Sequence, residues 1–129
     1  MTLQDPADFP RAFSHAFSSR DLATITGLFT ADADFLSLTG AWAEGHEAIE
    51  QVLSAELAGT LARVRLVSGR TKMRPVAPGV AQAMQRFVLS GLSNPDGSDA
   101  GRIGAVLSAL LVQTHTGWRV VSAQFSAEG

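Results

Sequence analysis

The sequence predicts an α+β fold, with N-terminal helices packed on a mainly antiparallel sheet. Three observations carry this. Apolar residues recur at helical spacing through the first half. From residue 61 onward the period changes to two. Strong turn signals, Pro78-Gly79, Asn94-Pro95-Asp96-Gly97 and Thr116-Gly117, divide that second half into strands joined by short connections. Helices first and strands afterwards is the order of an α+β domain.

Phe9, Phe13 and Phe17 recur every four residues, with Ala12 and Ala16 beside them, and make one apolar helix stripe. Asp5-Pro6 or Asp8 can cap its start, and Pro10 is tolerated in a first turn. Asp21 caps a shorter second helix carrying Leu22, Ile25, Leu28 and Phe29. A short strand runs from Asp34 to Leu38 and stops at Gly40. Residues 45–58 form a third helix, with Ile49, Val52, Leu53 and Leu57 on one face, Glu50 and Glu56 on the other, and Gly59 as its C-cap. Residues 61–68 then alternate, with Val64 and Leu66 on one side and Arg63 and Arg65 on the other, Gly69 permits a bulge or bend, and the strand resumes through Lys72, Met73 and Arg74. With Lys72 and Arg74 also along it, this reads as an exposed edge strand whose charges resist edge-to-edge aggregation. Strands over 80–92, 102–114 and 118–126 follow. The strand 104–112 is apolar on both parities: Val106, Leu110 and Val112 on one, Ala105, Leu107, Ala109 and Leu111 on the other. Antiparallel sheets usually keep one wet face. Three short helices cover one face only, so a second copy of the chain is expected on the other, making a homodimer through the sheet face.

The 129 residues suit one domain, 1–129, with a single core. At 46% hydrophobic and 17% charged the chain is not a disordered one. A net charge of −2 argues against nucleic acid and anionic membranes as partners, since both need a basic excess. There is no cysteine, hence no disulfide and no thiolate ligand or nucleophile. No apolar run is long enough to span a bilayer, and Met1 to Asp8 does not read as a signal peptide, so a cytoplasmic location is expected.

The stretch Thr30-Ala31-Asp32-Ala33-Asp34-Phe35, then Gly40-Ala41-Trp42, Gly45 and Ile49, resembles the SnoaL-like proteins of the nuclear transport factor 2-like superfamily. Arg74-Pro75 before Val80, Asn94-Pro95-Asp96-Gly97, and Gly117-Trp118-Arg119-Val120 leading to Ala123-Gln124 extend the likeness over nearly the whole chain, nearest to the small bacterial SgcJ/EcaC-type subgroup. The resemblance implies a cystatin-like cone, in which a curved sheet wraps a pocket closed by the helices, and it implies homodimers. Fold does not fix function here: the superfamily holds ketosteroid isomerases, polyketide cyclases, dehydratases and binding modules alike.

Enolising relatives place an aspartate near the end of the first strand. The matching position here is Ser37, which cannot act as a base. Two positions where the subgroup carries histidine read Leu53 and Met84, and the subgroup's Gln-Asn near the C-terminus reads Gln124-Phe125. No catalytic residue is therefore assigned. The expected site is an apolar pocket lined by Phe13, Phe17, Ser37, Trp42, Leu53 and Met84, with Arg86 and Gln124 as polar handles. Asp32 and Asp34 are either an acid–base pair or the stabilised turn after helix two. His15, His46 and His115 lack metal spacing, and only His46 lies near the expected pocket mouth. No metal or cofactor is implied. Three functions stay open: a small-molecule-binding protein with an apolar pocket, a cyclase-, isomerase- or oxidoreductase-associated enzyme, and a pure dimerisation module. A buried carboxylate in the pocket would favour the enzyme, a dry cavity the binder, and a filled core the module.

Overall fold

The computed structural model describes residues 2–128; Met1 and Gly129, the ends of the expected domain, lie outside the described residues. A 3-10 turn, Pro6–Asp8, is capped by Asp5, whose carboxylate accepts the Ala7 N–H at 2.9 Å. It leads into α1 (Phe9–Ser18), with Pro10 in the first turn, where its missing N–H costs nothing. The helix ends at Arg20, which sits in left-handed backbone (φ 57) and folds its guanidinium back. That group donates to the carbonyls of Phe17 (2.8 Å), Ala62 (3.1 Å) and Val64 (3.0 Å), tying the helix end to the chain that enters the edge strand. Asp21 caps α2 (Leu22–Gly27) by accepting the Thr24 N–H at 3.1 Å and its hydroxyl at 2.7 Å.

Strand β1 (Phe29–Leu36) begins earlier than the expected Asp34 and takes in residues read as helix end and turn. Its first part is bulged: Phe29 lies opposite Val120, and regular pairing resumes only at Asp34. The bulge breaks the alternation that would have revealed the strand. Asp32 accepts from the Thr30 hydroxyl (3.0 Å) inside this bulge rather than in a turn. After β2 (Trp42–Glu44) comes α3 (Gly45–Ala58), with the expected bounds and Gly59 as its C-cap. Strands β3 (Arg65–Ala77), β4 (Val80–Ser90), β5 (Ile103–Thr114) and β6 (Gly117–Ala127) complete one six-stranded sheet in the order β2-β1-β6-β5-β4-β3. All neighbours are antiparallel except β1 and β6. β3 is an edge, and Arg63, Arg65, Lys72 and Arg74 are all exposed beside or along it, as the alternation predicts.

The helices lie on one face of the sheet, called inner here. α1 packs toward β3 and β4, and α3 toward β1 and β2. Inner-facing Phe35, Ala83, Phe87, Leu89, Ala105, Leu107, Ala109, Leu111, Ala123 and Phe125 meet Phe9, Phe13, Phe17, Ile25, Ile49 and Leu53 in one continuous core.

Candidate functional site

The interior that such a cone would offer to a ligand is occupied by rings. The chain has seven phenylalanines, and all seven join one network. Phe125 on β6 is its hub, 5.9 Å from Phe13, 6.2 Å from Phe35 and 6.4 Å from Phe87 between ring centroids. Phe9 and Phe17 flank Phe13 along α1, and Phe29 meets Phe35 edge-on at 5.8 Å. Six of the rings are almost fully buried, and Phe125 is only 7% exposed. Edge-to-face and tilted rings at these spacings pack favourably beyond simple area burial.

The residues expected to line one pocket are not brought together. Phe13, Phe17 and Leu53 are core, packed against other side chains. Ser37 is buried, but its hydroxyl is engaged locally: it accepts the Ala41 N–H at 3.1 Å and lies 3.3 Å from the Thr39 hydroxyl. Thr39 in turn donates to Glu56. Glu56 is therefore buried rather than on the solvent face of α3, as its helix position had suggested, and it pins the β1–β2 turn to the helix. Met84, Arg86 and Gln124 point away from the helices, onto the outer face of the sheet. The inner position on β4 belongs to Gln85. It accepts from the Thr71 hydroxyl and donates to the carbonyls of Arg86 (2.7 Å) and Gly69 (3.3 Å). These bonds close the bulge where β3 shifts register between Ser68 and Thr71, so a buried amide is held where alternation by hydrophobicity would place methionine. Trp42 is 69% exposed at the β2 edge, its indole N–H donating to Asp34 at 2.9 Å.

Asp32 and Asp34 lie outside the cone, so the carboxylate pair does not face a cavity. His46 donates from Nε2 to the Phe29 carbonyl at 2.8 Å, which tethers α3 to β1; His15 and His115 are exposed. Among the described residues no group of three or more His, Asp and Glu is poised around a metal. Carboxyl groups held below their ordinary value sit at caps and turns instead. Asp21 is held low by the side-chain and backbone hydrogen bonds from Thr24, and Asp96 by those from Ser98.

The outer face carries the features the interior lacks. The strand registers define two rows across all six strands. One reads Glu44, Asp34, Ser122, Leu110, Gln82, Arg74, and the next Trp42, Leu36, Gln124, Ser108, Met84, Lys72. The β2–β1 end is acidic and the β4–β3 end basic. At the basic end a groove of about 390 Å³ has Met84 and Val106 as its apolar floor and Arg70, Lys72, Arg74, Gln82 and Arg86 as its rim. Arg86 is paired with Glu128 (2.8 and 2.9 Å), the one ion pair among the described residues.

Helices on one face of an open six-stranded sheet, in this connectivity, define the cystatin-like class of NTF2-like proteins. Within that class the chain belongs to the SnoaL-like domain family, which it matches over residues 8–128. None of the curated proteins matches the chain in sequence. An uncharacterised cystatin-like protein from Caulobacter vibrioides superposes with a TM-score of 0.86 at 20% identity, over 95% of this chain and 87% of that one. An NTF2-like protein from Novosphingobium aromaticivorans gives 0.76 at 17% identity, over 93% and 77%. A type 2 hexachlorocyclohexane dehydrochlorinase, LinA, gives 0.84 at 10% identity, over 95% and 82%. At such identities the likeness is one of fold alone. No helix among the described residues is long and apolar enough to cross a membrane.

Proposed function

We propose that residues 1–129 act as one non-catalytic SnoaL-like unit that works by self-association through the outer face of its sheet. The observation that carries this reading is the filled cone. A general base must reach a proton on a bound substrate. Here the inner face presents phenylalanine rings, and the buried polar groups Thr26, Ser37, Glu56 and Gln85 are spent on local hydrogen bonds, the Glu56 carboxylate accepting from Thr39. The outer face supports the second half of the proposal. Leu110 (39% exposed) on β5 and Met84 (37%) on β4 face out beside the half-buried Val106 and Val112, apolar side chains turned away from the helices. A stable homodimer buries at least about 1,200 Å² in total.

Sedimentation at micromolar concentration should show a dimer. Leu110→Arg should split it into folded monomers, because its side chain faces out. Leu111→Arg, on the buried parity, should unfold the chain instead. Proton transfer on a model β,γ-unsaturated ketone should stay at background. A wild-type monomer, or repeated turnover, would overturn the proposal.

The small-molecule-binding reading rests on a different place from the one the sequence suggested. The outer groove, floored by Met84 and Val106, is the apolar concavity that supports it. A ligand there would raise the melting temperature without turning over. The enzyme reading draws on the dehydrochlorinase likeness, which is one of fold.

A further inference from the structure

We infer that the second copy docks in one orientation, with the acidic β2–β1 end of each sheet on the basic β4–β3 end of the other. The inference rests on the self-association proposed above and adds its geometry. Sheets packed face to face around a two-fold axis have two simple arrangements. An axis running across the strands lays each strand on its own copy. That sets Arg74 and Lys72 on their own equivalents at one end, and Glu44 and Asp34 on theirs at the other. Like charges so placed oppose docking. An axis running along the strands, between β6 and β5, reverses each row onto itself.

In that second arrangement the first row puts Glu44 over Arg74, Asp34 over Gln82 and Ser122 over Leu110. The second row puts Trp42 over Lys72 and Leu36 over Met84. Every pairing at the ends is favourable: carboxylate on guanidinium, and an exposed indole on an ammonium. At the axis Gln124 lies over Ser108 beside Ser122 over Leu110, polar side chains around one leucine, and the charged residues lie at the rim. The match tolerates sheet twist. Six strands span roughly 24 Å, so each edge lies about 12 Å from the axis. A crossing angle of about 30° displaces the edges by about 6 Å, within the reach of Arg and Lys side chains. Lys72, Arg74 and Glu44 are exposed, and among the described residues none of them forms an ion pair. The groove floored by Met84 and Val106 receives the other copy's β2–β1 end in this arrangement.

The test uses two charge-reversed chains, K72E/R74E and D34K/E44K, studied by sedimentation with circular dichroism as the fold check. Each alone should dissociate on the order of 100-fold more readily than wild type. An equimolar mixture should dimerise again, because both ends are then complementary, and that recovery also shows both chains are folded. The wild-type dimer should loosen as salt rises. If both variants dimerise as tightly as wild type while Leu110→Arg is monomeric, the face is right and the orientation is wrong. If wild type is itself monomeric and dodecyl phosphate raises its melting temperature, self-association fails and the basic groove is a site for an anionic amphiphile.

Discussion

Phe125 closes the interior: its ring touches helix α1 through Phe13 and the sheet through Phe35 and Phe87. Phe125→Ala should cost about 3–5 kcal/mol, read as a fall in the urea midpoint, since truncating a buried ring loses its transfer energy and leaves a void. Such an apolar void stays dry and takes small apolar guests, so benzene or indole should recover part of the melting temperature in the variant and none in wild type. Asp21 makes the opposite kind of statement, one about pH. Its carboxyl is held below 3.8 mainly by the Thr24 side-chain hydrogen bond, then by the Thr24 N–H. A depressed folded-state value stabilises the fold above the ordinary carboxylate range and loses that contribution as pH falls through the depressed value. Thr24→Val should bring the Asp21 titration, followed by NMR, back toward 3.8 and flatten acid unfolding near that pH. At this scale the sequence is only partly legible. Ser37, expected on a pocket wall, is held by its own turn, because a serine there has backbone partners close by. Met84 and Arg86 do not, because hydrophobicity ranks methionine above Gln85 for the inner face, and the bulge at Gly69 has first claim on the amide.

Elements with sharp chemical boundaries are the ones alternation and spacing find. α3 is bracketed by Gly45 and Gly59, and the basic run from Arg63 to Arg74 marks an edge. β1 hides its first residues in a bulge, where no period survives. A glycine at the end of β4 shows how tightly these elements are joined. Gly91 has φ +80, and a Cβ there would meet the Arg63 carbonyl oxygen at 2.0 Å, where the chain leaving α3 passes beneath it. Gly97 has a similar φ of +86 with nothing near its Cβ. Gly97→Ala should cost about 1–3 kcal/mol, the conformational share alone. Gly91→Ala should lower the melting temperature clearly further, because two backbone segments must separate as well. Equal shifts in the two variants would mean that the α3–β4 approach contributes nothing.

For the molecule as a whole, element order, α+β class and the two-sided β5 were readable before any coordinates, since each depends on period and composition along one stretch of chain. Which apolar face meets the helices was not, because both parities of β5 look alike and only the closure of the ring cluster distinguishes them. The place of β6 has a consequence for how the protein is made. Among the described residues β6 is the last strand in chain order, yet it lies between β1 and β5 and joins the β2–β1 pair to the rest of the sheet. A ribosome adds about 5–20 residues each second, so β1 waits roughly 5–20 s between its own synthesis and the arrival of its partner. Through that interval the nascent chain carries an unpaired strand edge and half an aromatic core, an open invitation to pair with a neighbour on the same messenger. Yield of soluble protein should therefore respond to the speed of translation across the β5–β6 hairpin, and to chaperones that hold an exposed edge, more than to the stability of the finished fold.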